Sequence, residues 1–414
     1  MTQERWRFFP RLANQWLHTL TPAGRCVTIG VLIAVGVGGR SLEMPVYYLF
    51  CVLSILCLFT VIGGTLLRPR VAITADFPDR ASAGQPFRAR FRLFGRARIP
   101  AYDVSVRFFQ NVRHLTPTEP PAIAEIRRGQ SASLTLEFLP RKRGLYPLPR
   151  LRAYSSFPFD LGRSAGTAWQ PRPLLVLPSF HPLTAVNVPV GERYQPGGVT
   201  LTSNVGQSPE YIGNRDYVPG DNPRRIDFHA WARLARPVVR EYQQEYYCRI
   251  ALVLDTFIAP RRREGRDGFP DLEAAVSLAA SVADCLTHGE HIIDIFAAGP
   301  ELYVFRAGRH LAHLDNILEI LACVDACRSN PFDTIAPALQ EELGNITSVV
   351  YVLLDWDETR ERFVQAAVEA GCRTKVVIVR EKETSRDYSA AQDWAGPITV
   401  LSPAEIQKGT VESL

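Results

Sequence analysis

Hydrophobic positions follow three successive patterns along the chain. The first is a pair of unbroken apolar runs, Val27 to Gly39 and Pro45 to Leu67. The second run carries no charge and, at about 1.5 Å per residue, is long enough as a helix to cross a bilayer. The first is short for a span unless flanking residues from Thr21 extend it. From residue 71 to about 180 the pattern changes to short runs: VAITADF, PFRARFRLF, AYDVSVRFF, SASLTLEFL, LPRLRAYS and LLVLP, separated by Pro, Gly and Ser clusters. Regularly spaced short strands of this kind predict a β-sandwich of immunoglobulin-like size. Residues 181–208 are Gly- and Pro-rich with little periodicity and read as a connector. From Arg249 onward, apolar strands (IALVLD, HIIDIFAA, ELYVF, SVVYVLLD, KVVIVR) interleave with amphipathic helices such as DLEAAVSLAASVADCLT and ERFVQAAVEAG. That alternation predicts a mostly parallel sheet covered on both faces.

The expected architecture is therefore multidomain. Residues 1–70 form a basic N-terminus and a transmembrane helical hairpin, 71–180 a β-sandwich, 181–208 a connector, and 209–414 a charged motif joined to an α/β domain of Rossmann type.

Charge placement orients the apolar pair. Arg5, Arg7, Arg11 and Arg25 precede the first run, Arg68 and Arg70 follow the second, and only Arg40 and Glu43 lie between. The positive-inside rule then puts both termini, and the soluble domains, in the cytoplasm of a two-pass inner-membrane protein. A cleaved signal peptide fits worse, because the first run starts late and a longer one follows at once. A soluble buried hairpin is the bland alternative. The formal net charge of +5 over 414 residues does not argue for nucleic acid. The eight cysteines are scattered without a disulfide framework, which favours a reducing compartment. No P-loop, dinucleotide fingerprint or nucleophile elbow is present.

The chemistry concentrates between Pro209 and Asp255. Arg215, Asp216, Asp221, Arg224, Arg225, Asp227, His229 and Arg233 crowd among Tyr211, Tyr217, Phe228 and Trp231. Pro219-Gly220 is a turn dipeptide, Asp221 or Asn222 caps a helix with Pro223 in its first turn, and Pro237 stops it. Ile226, Ala230 and Leu234 would share one face of that helix. Charges this dense predict an ion-pair and capping network that ties the turn in place or presents it to a partner. His229 lies near Asp227 and Arg233, but residues two apart on a helix do not face each other and no nucleophile accompanies them.

The string R-D-Y-x-P-G-D-x-x-R-x-I-D-F-x-x-W-A-R, the V-R-E-Y-x-x-E strand and the apolar strand ending at Asp255 resemble the signature of bacterial domain-of-unknown-function family 58. RKRGLYPLPRLRAYSSFPFDLG resembles the family's R-G-x-Y strand and Pro-Phe-Gly-Leu turn, with Asp160 where glycine is usual. The resemblance implies two membrane helices, a β-rich domain and a von Willebrand factor A-like domain. It places the signature on Arg215, Asp216, Tyr217, Gly220, Asp221, Arg224, Asp227, Trp231 and Arg233. It also implies a MoxR-type AAA+ ATPase as partner, with transglutaminase-like membrane proteins as neighbours.

A von Willebrand A domain carries a metal-ion-dependent adhesion site, D-x-S-x-S with a distal Thr and Asp. Asp255 takes the first position, Phe257 and Ala259 replace the serines, Thr334 matches the threonine, and Asp355 or Asp357 the aspartate. Magnesium wants near-octahedral oxygen ligation, so this set reads as degenerate and no cofactor is expected. Arg261, Arg262, Arg263 and Arg266 follow at the top of the sheet, a cluster suited to an acidic partner or simply a solvated loop. Cys323 with Cys327, His310 with His313, and His288 with His291 lack a second pair at zinc spacing. The leading expectation is a non-enzymatic, membrane-anchored adaptor. The alternative is a divalent-metal-dependent hydrolase using Asp255, Asp355 and His229.

Overall fold

The computed structural model describes residues 19–38, 44–110, 112, 114–118, 121–189, 201–245, 249–265, 268–288, 292–298, 302–305 and 314–414 (backbone alone at 38, 201–212, 241–245, 292, 298, 302 and 305). His291, His310, His313 and Arg266 lie outside the described residues. The chain divides into two compact units, Met1–Leu177 and Pro178–Leu414.

The first unit begins with two apolar helices, α1 (Pro22–Gly38) and α2 (Met44–Leu66). At 23 residues α2 is long and apolar enough to cross a membrane, whereas α1 is shorter. Arg68 and Arg70 follow, and the chain enters β1 (Val71–Asp76). Next come β2 (Arg80–Ser82), β3 (Phe87–Gly95), β4 (Ala101–Phe108), β5 (Leu115–Pro117), β6 (Ile123–Ile126), β7 (Ser131–Pro140), β8 (Gly144–Tyr146), β9 (Leu151–Ser155), β10 (Ser164–Trp169) and β11 (Leu174–Leu177). They form two four-stranded antiparallel sheets, β1-β3-β7-β5 and β10-β9-β4-β6, and a small sheet β2-β11-β8. Alternation sorts their side chains: along β3, Ala89, Phe91 and Leu93 are buried while Arg88, Arg90 and Arg92 are exposed. Phe91 and Leu93 meet Val104, Val106, Phe138 and Leu151 in one core shared by both large sheets. Each such side chain stabilises the fold by about 1.5–3 kcal/mol.

The loop between β9 and β10 grips both helices. Thr21 donates its N–H to the Leu161 carbonyl (3.1 Å), and Arg163 donates its own to Thr19 (2.6 Å). A Cβ on Gly24 would fall 1.8 Å from the Leu161 carbonyl oxygen, and one on Gly64 2.2 Å from Ser164 Oγ. Only glycine permits the first approach, which is to backbone; at the second the Ser164 hydroxyl would have to turn away.

The second unit opens with residues that hydrogen-bond to its own C-terminal tail: Thr184 N–H to Glu412 O (2.8 Å) and Asn187 N–H to Leu414 O (2.6 Å). Part of the expected connector is therefore built into this unit, and its last residues are strand. β12 (Leu201–Asp216) pairs antiparallel with β13 (Val238–Glu245), in a register that sets Asp216 opposite Val238 and Asn214 opposite Arg240. Between them lie a 3-10 turn, Pro223–Arg225, and α3 (Phe228–Leu234). The expected single helix is two pieces, because Asn222 caps the first and Asp227 caps the second through the N–H groups of His229 and Ala230. Of the expected face, Ala230 is buried, Leu234 is exposed, and Ile226 instead bridges to Val239.

The large sheet is built from β14 (Arg249–Leu254), β15 (Ile292–Ala298), β16 (Leu302–Phe305), β17 (Ser348–Leu353), β18 (Arg373–Val379) and β19 (Ile398–Leu401), in the order β16-β15-β14-β17-β18-β19. All neighbours are parallel except β15 with β16. β17 is buried along its whole length, as a strand covered on both faces must be. The helices are α4 (Pro270–His288), α5 (Leu314–Cys323), α6 (Phe332–Glu342), α7 (Glu358–Glu369), α8 (Gln392–Ala395) and α9 (Pro403–Lys408). α6 carries Pro337 inside it. From β14 the chain adds β15 on one side and β17 on the other, so the connections beyond their carboxyl ends diverge and open a crevice.

Candidate functional site

Asp255 follows β14 directly and is fully buried. Its Oδ1 accepts the Phe257 N–H (2.9 Å) and its Oδ2 accepts the Leu354 N–H (2.9 Å), which ties the end of β14 to the end of β17. The same Oδ2 accepts Arg360 Nε–H at 2.8 Å, with Nη2 at 2.7 Å. Arg360 stands in the first turn of α7, capped by Asp357, whose Oδ1 accepts the Arg360 N–H (2.9 Å) while its Oδ2 takes Nη1. The guanidinium lies between the rings of Phe257 and Phe332, 5.8 and 5.3 Å from their centroids. Burial alone would lower its pKa, but Asp255 and Asp357 outweigh that and raise it. It is a permanent cation in a nearly closed position.

Above it lies a cavity of about 560 Å³, lined by Phe257, Arg262, Asp355, Arg360, Arg380 and Lys382 among others. Asp355 follows β17. Its carboxylate accepts the N–H groups of Trp356 (2.8 Å) and Ser385 (2.9 Å), the Ser385 hydroxyl (2.6 Å) and Arg380 Nη1. Burial would push the Asp355 pKa up, but the bonds from Ser385 and Arg380 leave it below the ordinary value. Arg262 pairs with Asp271, and Arg328 donates to the carbonyls of Ala259 (2.9 Å) and Arg262 (3.0 Å), so the start of the basic loop is braced.

The three residues expected around a metal are placed differently from one another. Asp355 lines the cavity, Asp255 is sealed beneath it, and the Thr334 hydroxyl donates to the Pro331 carbonyl (2.8 Å) within its own helix turn. Both oxygens of each aspartate already accept hydrogen bonds, and a guanidinium supplies the positive charge. This donor set does not fit a divalent ion. Among the described residues, no His, Cys, Asp or Glu trio is close enough to hold one.

The signature charges pair within the hairpin. Arg215 holds Asp221 through two bonds (2.7 and 2.6 Å), and Asp221 also accepts the Val218 N–H (2.9 Å), closing the turn where Gly220 has φ 110°. The Arg215 bond is the main reason the Asp221 pKa falls to about 2. Asp227 accepts Arg240 Nε–H (3.0 Å) besides capping α3, which holds its pKa well below the usual carboxylate range. Asp216 meets Arg236 (3.1 Å), and Tyr217 donates its N–H to Pro237 O (3.0 Å). Arg224, Arg233 and His229 are exposed. So are Phe228 (65%), Trp231 (38%) and Leu234 (44%), with the first two rings stacked 6.0 Å apart. Sequence reasoning missed Arg360, Arg380 and Ser385; the first partners Asp255 from 105 positions away, a distance no local motif announces.

These two constellations fall within one recognisable stretch. Residues 213–386 match the family model described as "Protein of unknown function DUF58". The DUF58 match takes in the end of β12, the signature turn, Asp255 and the whole Arg360 and Asp355 network. A curated relative, "Uncharacterized protein YeaD" from Bacillus subtilis (strain 168), is 24% identical over 198 residues, covering 47% of this chain and 46% of that protein. The match thus spans under half the length of the relative. Among solved structures, a CARDB domain from Pyrococcus furiosus is 13% identical with TM-score 0.18, covering 26% of this chain and 95% of that one. The secreted serine protease VesC from Vibrio cholerae is 8% identical with TM-score 0.18, covering 30% and 26%. At these scores neither likeness bears on fold or function.

Proposed function

We propose that the chain is a membrane-anchored interaction protein that performs no catalysis. In this reading α1 and α2 form a two-pass hairpin in a bacterial inner membrane and both soluble units face the cytoplasm. Residues 71–180 act as an immunoglobulin-like sandwich and the DUF58 region as a von Willebrand A-like domain whose metal chemistry has been replaced. The observation that carries the reading is the Arg360–Asp255 pair. A side-chain cation fills the place of an exchangeable one: Asp255 is spent on Arg360, and Asp355 on Ser385 and Arg380. The hydrolase alternative would require Asp255 to part from Arg360, and no observation favours that.

The docking face is α3, where Phe228, Trp231 and Leu234 are exposed beside Arg224 and Arg233. Aromatic and arginine side chains of this kind dominate binding energy at interfaces. The partner is a MoxR-type AAA+ ATPase, which would remodel or assemble envelope complexes through this tethered adaptor, with transglutaminase-like membrane proteins nearby. The test is binding of the full-length chain in detergent to a MoxR-type ATPase from the same organism. Trp231→Ala and Phe228→Ala are each expected to weaken it by about 2 kcal/mol, roughly thirtyfold. Absence of binding by the wild-type chain would sink the partnership.

A further inference from the structure

Four arginines converge where the first unit meets its apolar helices. Arg107 on β4 and Arg152 on β9 stand directly opposite each other across the strand pair, so their side chains leave the same face of the sheet. Like charges in that position repel each other and destabilise the sheet. Arg163 reaches the same face, its guanidinium 6.0 Å from the Tyr154 ring centre and its Nη1 donating to the Leu20 carbonyl (2.8 Å). Arg25, in the first turn of α1, completes the group. Burial, then the charge of Arg163, and also that of Arg25, lower the Arg107 pKa, while the Tyr154 ring raises it. Among the described residues no carboxylate pairs with Arg107, Arg152 or Arg163.

The position says what would neutralise them. The loop from Ser156 to Ser164 runs beside the last turns of α2: Pro158 lies 3.2 Å from where a Gly63 Cβ would be, and Ser164 meets Gly64. Arg68, just past the helix, donates its Nε–H to Ala165 O. Phe157 and Phe159 on this loop remain exposed. Exposed aromatic rings and arginines at the end of a spanning helix suit the headgroup layer, where rings sit among glycerol groups and guanidinium groups bind phosphate bidentately. The N-terminus of α1 faces the same zone, and its dipole also favours an anion.

We propose that Arg25, Arg107, Arg152 and Arg163 form a binding site for the phosphate of an anionic phospholipid at the cytoplasmic edge of the helices. The site rests on the membrane-anchored reading given above. A lipid phosphate removes the repulsion between Arg107 and Arg152 and locks the β-rich unit against the bilayer in one pose.

The test is native mass spectrometry of the full-length chain in mild detergent, exposed to equal amounts of phosphatidylglycerol and phosphatidylcholine. The wild type is expected to retain phosphatidylglycerol preferentially. Combining Arg107→Gln with Arg152→Gln should cut that retention by about thirtyfold, the effect of two juxtamembrane arginines. The corresponding double lysine variant should keep most of it, and Arg172→Gln, on an exposed arginine paired with Asp79, should change nothing. Unchanged retention in the folded glutamine variant would overturn the site, as would equal loss in the lysine variant or in Arg172→Gln. Displacement of the lipid by millimolar inorganic phosphate would reassign the arginines to a free anion. A chain that stays soluble without detergent would overturn the anchoring and the site together. Firm anchoring without lipid preference would overturn the site alone.

Discussion

Arg360 Nε donates to Asp255 Oδ2 at 2.8 Å, and both side chains are at most 4% exposed. The pair joins the first turn of α7 to the end of β14, across the point where the sheet's connections diverge. Breaking a buried pair strands a charge, at a cost of about 3–5 kcal/mol. Arg360→Met should therefore lower the stability of the full-length chain by about that amount. Adding Asp255→Asn to it should recover part of the loss, because the stranded charge is gone. Denaturant titration of the single and double variants reads the difference.

Magnesium is expected to leave the thermal midpoint of the wild type unchanged. A ligand at one hundred times its dissociation constant adds about 2.7 kcal/mol if it binds only the native state. A magnesium-dependent rise that disappears in Asp255→Ala would make the crevice a metal site after all.

If α3 is the docking face proposed above, its substitutions separate folding from binding. Trp231 and Phe228 are exposed, and surface substitutions usually change stability by no more than about 0.5 kcal/mol. Trp231→Ala should melt close to the wild type while losing partner affinity. A large drop in the melting temperature would assign the ring to packing instead.

Acid should loosen the signature turn. The Asp221 pKa is about 2 in the fold against an ordinary 3.8, so its contribution is complete above pH 3.8 and is lost as pH falls toward 2. Asp227 shifts in the same direction. Melting temperature followed between pH 5 and pH 2 should fall less steeply in Asp221→Asn, which has no charge to lose.

Gly24→Val should loosen the grip on α1. The new side chain would run into the Leu161 carbonyl, an overpacking that costs about 1–3 kcal/mol. Faster cleavage of the 156–164 loop in limited proteolysis is the expected sign. An unchanged digestion pattern would mean that the loop does not depend on this contact.

Much of the fold was legible because its elements bury continuous or alternating apolar runs. IALVLD and SVVYVLLD became β14 and β17, and the β3 arginines alternate with Ala89, Phe91 and Leu93 as the spacing predicts. β2, β5, β6 and β10 were missed; β2 and β5 are three residues long, carry no periodicity and exist only through their neighbours. The start of β12 was missed because register shifts break its alternation. The signature ion pairs were readable as a dense local cluster, with Arg215 and Asp221 six residues apart. The centre of the crevice was not. Arg360 sits on an ordinary amphipathic helix, and only the placing of that helix's first turn beside the end of β14 gives it a carboxylate to bind.

A cation that belongs to the chain has no off-rate. Chelators, or swings in cellular magnesium, leave Arg360 in place, and its charge persists at any pH the cell reaches. The crevice is therefore set from the moment the α/β unit folds. Any timing in the protein's work must come from what arrives at it.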